Sequence, residues 1–390
     1  MSLKALVSVD VWFLELESLS VFALENDMAT QAIDLFAELE KRERWVASYL
    51  NSGEFKKWFQ PAQLREAVYS YVHRAGKRLR PGVLLLACGA VGGNEEEAIP
   101  AAAAVEIFHT WSLVHDDLID NDEKRRGGYT VHAQCSKTAK EQMGYTDHQA
   151  KDYGRDVAIL AGDVQQGWSV SLLCDCSLKG KVKPQVTLTL IRMLESYVLN
   201  TLVSGETLDI LFAKQPVESF EPEQILDMLW RKTGALYEFA AKAGAMIGLN
   251  TTDAKDEKVA ALSNFTSRCG TAFQLQDDIL GIVGDEKQLG KPVGSDIREG
   301  KRTTVIYYAF RNASPQQKER LLSVLGNQKA TENEINEATE LLMQLEGISE
   351  TKRMAKRIIE EARTELDVLP ESKYKKLLLA WADFMISRDF

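Results

Sequence analysis

An all-α fold, built as one large helical bundle, is what this 390-residue sequence predicts. Three observations carry that reading. Apolar residues recur at helical spacing in one segment after another, while runs that would suit strands are scarce. Nine prolines in the whole length leave room for many uninterrupted helices. By length alone the chain could hold two or three domains, yet nothing resembling a linker divides it, so a single large domain is expected.

The elements follow in order. Residues 31–49 read as a helix through Ile33, Leu35, Phe36, Leu39 and Val46, closed by Asn51-Ser52-Gly53. Pro61 opens a second helix with an apolar stripe at Leu64, Val68, Tyr71 and Val72. Lys77, Arg78 and Arg80 then stand between Gly76 and Pro81, just before the apolar run from Val83 to Ala87. A long Ala-rich helix is expected from Ile99 to Asp120, and after Gly127-Gly128 the polar stretch 138–155 reads as a surface loop or short helix. Helical patterns resume over 156–173, 185–211 and 219–248, the last interrupted by Arg231-Lys232-Thr233-Gly234, and again over 256–281. A glycine-rich loop follows, and from Val305 onward helices alternate with turns at Ser314-Pro315, Gly326-Asn327, Gly347 and Leu369-Pro370.

Composition excludes some functions. A net charge of −10 argues against non-specific nucleic-acid binding, so an anionic ligand must be held locally. Five cysteines (Cys88, Cys135, Cys174, Cys176 and Cys269) are odd in number and form no regular framework, which suits a reducing, cytoplasmic setting. Cys174 and Cys176 are too close for a usual zinc pair and read as packing residues. No run of about eighteen apolar residues is found, so no transmembrane segment is expected. Residues 1–30 carry Asp10, Glu15, Glu17 and Glu25, which spoils a signal or transit peptide. They are expected to be an N-terminal extension, not native or poorly ordered, with Met28 as the natural start and residues 31–390 as the working domain.

Two acidic runs carry the chemistry. In HDDLID, Asp116 and Asp120 lie one helical turn apart with Asp117 beside them. Left alone these carboxylates would repel, and a hard divalent cation, magnesium first, is the natural way to hold them together. The bland alternative is a solvated acidic helix end. In FQLQDD, Gln274 shares a face with Asp277 and Asp278. If the two helices face each other across the bundle, their carboxylates clamp metal ions that bridge a diphosphate. Lys232, Lys291, Lys301 and Arg125 are then placed to neutralise what the metals leave uncovered. On an ideal wheel His109 lies within about 20° of Asp116, looking along the same groove. No P-loop is present, so the pattern fits departure of diphosphate from an allylic carbon better than nucleotide chemistry. The cation left behind needs a dry cavity, for which Phe108, Trp111, Phe239 and Phe273 are candidates.

Together GKRLRP, HDDLID with RRGG, RKTG, FQLQDD and GKPVGSDIREGK, in this order from about Lys41 onward, resemble the trans-isoprenyl diphosphate synthases. The resemblance implies the all-α isoprenoid synthase bundle with a central active-site cavity, working as a homodimer, with magnesium as cofactor. It implies head-to-tail condensation of isopentenyl diphosphate with an allylic diphosphate (dimethylallyl, geranyl or farnesyl). By the same resemblance Asp116, Asp120, Asp277 and Asp278 bind magnesium, with Asp117 supporting. Lys77, Arg80, His109 and Arg126 correspond to the isopentenyl diphosphate site, and Arg125, Lys232, Lys291 and Lys301 to the allylic one. Thr233 and Gln274 sit near the developing carbocation.

Two departures from the family pattern stand out. Gly281 occupies the place of a frequent third aspartate in the second motif, with Asp285 close by in sequence, and Gly128-Tyr129 replaces a residue-proline pair. The family pattern also makes bulk upstream of the first aspartate the ruler for product length, here Trp111 with Ser112 and Phe108. The wheel puts Trp111 about 140° from Asp116 and Ser112 about 40°, so that ruler rests on resemblance and not on spacing. The pattern resembles geranylgeranyl-type enzymes, with farnesyl or longer products as the alternative and a class I terpene cyclase as a more distant one.

Overall fold

The computed structural model describes residues 34–74, 76, 78–284 and 294–387. Residues 1–30, Lys77, Asp285 and Lys291 therefore lie outside the described residues. Among the described residues the regular secondary structure is helical apart from one short hairpin.

Helix α1 (Leu35–Leu50) buries Leu35, Leu39, Val46 and Leu50 together with Arg42, whose charge is met by Glu38 and Glu95 at 2.8 and 2.5 Å. Two short helices follow, α2 (Gly53–Lys56) and α3 (Ala62–Tyr69). Helix α4 (Leu79–Ala90) is buried on almost every side, as its unbroken apolar run requires. Helix α5 (Glu95–Ile119) starts earlier than the expected Ile99. Asn94 caps it by accepting from the Glu96 amide, and Glu95, Glu96 and Glu97 sit at the positive end of its dipole.

The stretch 138–155, expected as a surface loop or short helix, is the end of one helix and the start of another, α6 (Val131–Met143) and α7 (Asp147–Leu178). A capping box of Thr146 and Gln149 starts α7. The long α8 (Pro184–Phe212) carries a π turn at Leu194–Val198, and α9 (222–249) carries another at Trp230–Gly234. The interruption read at Arg231-Lys232-Thr233-Gly234 is thus a widened turn inside one continuous helix. Helix α10 (Glu257–Val283) lies against α9, and α5 lies along α7.

After the short α11 (Ser295–Glu299) come α12 (Thr304–Asn312), α13 (Pro315–Val324), α14 (Glu332–Gln344), α15 (Gly347–Arg363) and α16 (Lys373–Ile386). Helices α12 to α15 gather with the end of α10 around a second apolar core that includes Ile279, Ile282, Val305, Phe310, Leu321, Ile335 and Leu342.

One expectation needs correction. By length and composition α8 is apolar enough to cross a membrane, with a mean hydropathy of 1.2 in a window that is 39% buried. The same helix carries acidic side chains of the site described next, which ties it to the bundle.

Candidate active site

The first acidic run forms the last turn of α5. Asp117 is fully buried, and both of its oxygens are engaged: Tyr71 Oη donates to Oδ2 and Arg125 Nε to Oδ1. Burial pushes this carboxyl up to about 6, against the pull of Arg125 and Tyr71. Tyr71 also accepts from the Val131 amide at 3.3 Å, so one hydroxyl joins the end of α5 to the start of α6. Arg125 reaches on to Asp116 at 3.4 Å and Asp122 at 3.6 Å. It can do so because Lys124–Arg125 and Gly128–Tyr129 pair as a hairpin, β1 and β2. The two turn residues, Arg126 and Gly127, have φ of 51° and 71°. Two positive φ values in a two-residue turn explain a glycine at 127.

Next to this turn lies a cationic group. Arg80 Nη1 is 3.1 Å from His109 Nε2, and since arginine only donates, His109 accepts there and is neutral. Burial, then the charges of Arg80 and Arg126, hold the His109 pKa well below its ordinary value. Arg80 lies 4.3 Å above the ring of Tyr237. The buried Glu106 sits 3.9 Å from Arg78 and 3.8 Å from Arg126. The guanidinium forks of Arg80 and Arg126 give this group the chemistry to hold an anion. Glu106 was not singled out from sequence, because a glutamate inside an Ala-rich helix gives no sign of being buried.

A second cluster gathers around Lys232 and Lys301. Lys232, in the π turn of α9, lies 3.3 Å from Asp116, 2.8 Å from Glu206 and 2.7 Å from Asp209. Burial opposes its charge, yet Asp116, Asp209 and Glu206 outweigh that and hold its pKa well above the ordinary value. The lysine backbone reaches this place because α8 has Gly205 opposite: a Cβ there would come within 2.4 Å of the Lys232 nitrogen. Lys301 lies 3.7 Å from Asp120, 3.9 Å from Asp296 and 3.0 Å from Glu299. Glu206, Asp209, Asp296 and Glu299 were missed by sequence reading. The spacing of Glu206 and Asp209 on one face of α8 is the signal that could have found them.

From the second motif, Thr233 Oγ1 donates to Gln274 Oε1 at 2.9 Å, and Gln274 Nε2 donates to Asp278 Oδ1 at 3.1 Å. Asp278 is 5% exposed, and its Oδ2 has no hydrogen-bond donor among the described residues. Burial, then the charge of Asp296, push its pKa well above the ordinary value. Asp277 is partly exposed one residue earlier. Lys301 links the region after the second motif to Asp120 of the first, while Lys77 and Lys291 are not described.

Among the described residues no three His, Cys, Asp or Glu side chains are close enough to cage a metal ion, and lysine ammonium groups stand among the carboxylates. The donor set itself suits a hard cation. It is all oxygen, and it includes one buried carboxylate oxygen with no donor.

The apolar residues are less gathered. Phe108 is fully buried, Trp111 packs on it with ring centroids 4.9 Å apart, and Phe273 faces Tyr237 at 6.1 Å. Phe239 lines a cavity of about 300 Å³ with Met193, Tyr197 and Val198, between α8 and α9. Ser112 turns its hydroxyl back to the His109 carbonyl at 2.8 Å.

Comparison with known proteins adds the following. The polyprenyl synthetase family model matches residues 61–342. A short chain isoprenyl diphosphate synthase of Methanocaldococcus jannaschii is 37% identical over 68% of this chain and 72% of its own length. A geranylgeranyl diphosphate synthase of Methanosarcina mazei is 36% identical over 85% of this chain and 91% of its own. A geranylfarnesyl diphosphate synthase of Aeropyrum pernix is 32% identical over 84% and 95%. Among solved structures, the geranylgeranyl pyrophosphate synthetase of Pyrococcus horikoshii superposes with a TM-score of 0.77 at 34% identity, covering 91% of this chain and 98% of that one. The geranylgeranyl pyrophosphate synthase of Corynebacterium glutamicum, complexed with isoprenyl diphosphate and magnesium, gives 0.78 at 27% identity, covering 92% and 100%.

Proposed function

Because the chain belongs to the polyprenyl synthetase family and is a trans-prenyltransferase that makes an isoprenyl diphosphate, we propose that its product is the twenty-carbon geranylgeranyl diphosphate. The single observation that carries the reading of the site is the placement of Lys232 and Lys301. Each sits among carboxylates at one end of the first motif, and a separate arginine group lies beside them. One cluster is suited to an allylic diphosphate and the other to isopentenyl diphosphate. That second anion site is what a terpene cyclase has no use for.

Asp116, Asp120, Asp277 and Asp278 would hold magnesium, which supplies positive charge to the oxygens of the departing diphosphate. Lys232 and Lys301 neutralise the charge left over, and their raised pKa values keep them cationic across the working pH range. Arg80 and Arg126 grip the second diphosphate, and neutral His109 orients Arg80 through its accepting nitrogen. Thr233 and Gln274 hold fixed dipoles next to Asp278, where the allylic cation develops. The isopentenyl double bond attacks that cation, and the departed diphosphate takes the proton, so no side chain is assigned as base.

Trp111 on Phe108 supports the shorter product, as a wall that stops chain growth. A longer, geranylfarnesyl-type product is the second reading, favoured by the Aeropyrum pernix relative. We further propose a cytoplasmic homodimer. Exposed Ile159, Leu160, Leu188, Val203 and Ile210 on α7 and α8 supply an apolar surface for a second copy, and sedimentation velocity checks it. Incubating the pure protein and magnesium with isopentenyl diphosphate and each of three allylic primers tests the product assignment. Twenty-carbon product from all three supports it; twenty-five carbons as the main product overturns it.

A further inference from the structure

The second acidic motif ends on Gly281, and the space a side chain would take there is already filled. A Cβ built on Gly281 would lie 2.3 Å from Oδ2 of Asp296 and 2.8 Å from its Cγ. Asp296 arrives from α11, fifteen residues along the chain but adjacent in space. On its other side, Oδ1 is 3.9 Å from Lys301, which in turn is 3.7 Å from Asp120 of the first motif. One turn before Gly281, the Oδ2 of Asp278 is buried with no donor among the described residues. The partly buried Asp296 is thus packed against the helical turn that carries Asp278 and its open oxygen, a placement from which both carboxylates could reach one cation.

We propose that Asp296 is a cation-binding residue, supplying from α11 the carboxylate that the second motif lacks at 281, and acting with Asp277 and Asp278. This rests on the diphosphate–metal reading above and names a residue that reading leaves out. It explains why glycine stands at 281: an aspartate there and the aspartate at 296 would compete for one volume. The two positions are alternatives, so exchanging them should restore what breaking either one removes.

The test uses the full chain with Mn²⁺ as a spectroscopic probe and inorganic diphosphate as the anion, read by electron paramagnetic resonance of free Mn²⁺. Asp296→Asn should weaken Mn²⁺ binding by about tenfold or more, since even supporting residues of metal ligands cost that much. Gly281→Asp alone should also weaken it, through crowding against Asp296. The double variant Gly281→Asp with Asp296→Gly should recover binding to near the unaltered level. A metal-free thermal melt identifies a variant that has failed to fold, and the exchange then decides, because rescue requires the carboxylate and not the loop. Unchanged Mn²⁺ affinity in Asp296→Asn overturns this inference and leaves the function standing. No Mn²⁺ binding by the unaltered chain with diphosphate overturns both.

Discussion

Asp117 and Asp278 are both buried aspartates near the ends of long helices, and they are held in opposite ways. Asp117 has each oxygen taken by a protein donor, Tyr71 on one side and Arg125 on the other. Asp278 receives one hydrogen bond from Gln274 and keeps an oxygen with no donor among the described residues. Similar sequence at the two motifs therefore gives different chemistry. Asp117 is a completed structural joint that fixes the α5 end and Arg125; Asp278 keeps one oxygen open, where the proposed cation would bind.

Breaking the joint should cost most. Asp117→Ala leaves the Arg125 guanidinium without its main partner in a largely buried place, and should destabilise the fold by about 3–5 kcal/mol. Chemical denaturation measures this, and a loss below 1 kcal/mol would place the joint elsewhere. Altering the open site should separate activity from stability. Asp278→Asn should lower turnover by about a hundredfold to a thousandfold. In metal-free buffer it should unfold no earlier than the parent, because it replaces a carboxyl whose charged form burial and Asp296 disfavour.

A smaller effect comes from pH. The folded-state pKa of His109 is depressed below its unfolded value near 6.5, so the unfolded chain takes up the proton first as pH falls. Stability from this group is complete above about pH 6.5 and declines below it, by up to about 1.4 kcal/mol per pH unit. His109→Gln should flatten that slope between pH 6.5 and 5; equal slopes would mean that His109 is not held neutral. The mildest expected change is in product length. Trp111→Ala, upstream on the same helix as the joint, should lengthen the prenyl product while leaving magnesium dependence intact, and an unchanged distribution would remove Trp111 from that role.

Much of this was legible beforehand where chemistry is written in adjacent residues. The acidic pairs, Lys232, Arg80, His109 and the arginines after the first motif all stand in short runs with unusual charge, and the structure pairs Lys232 and Arg125 with Asp116, and Arg80 with His109. Tyr71, Glu106, Glu206, Asp209 and Asp296 were not, since each acts through a neighbour distant in sequence. The α6–α7 segment was hidden for another reason. Those helices meet through Ala150, Gly154 and Ala158, with a Cβ at Gly154 coming within 2.1 Å of the Ser136 hydroxyl, and small residues leave little hydropathic periodicity. Product length stayed open because Trp111 lies off the aspartate face of α5, so its effect depends on packing with Phe108 and not on spacing.

Release of diphosphate from an allylic diphosphate plus isopentenyl diphosphate, followed as magnesium is titrated into the metal-free protein, tests the central claim most directly. The carboxylate–lysine site predicts negligible release without the metal and a saturable rise with it, with prenyl product formed in step. Release that is undiminished in the chelator-treated protein would contradict it.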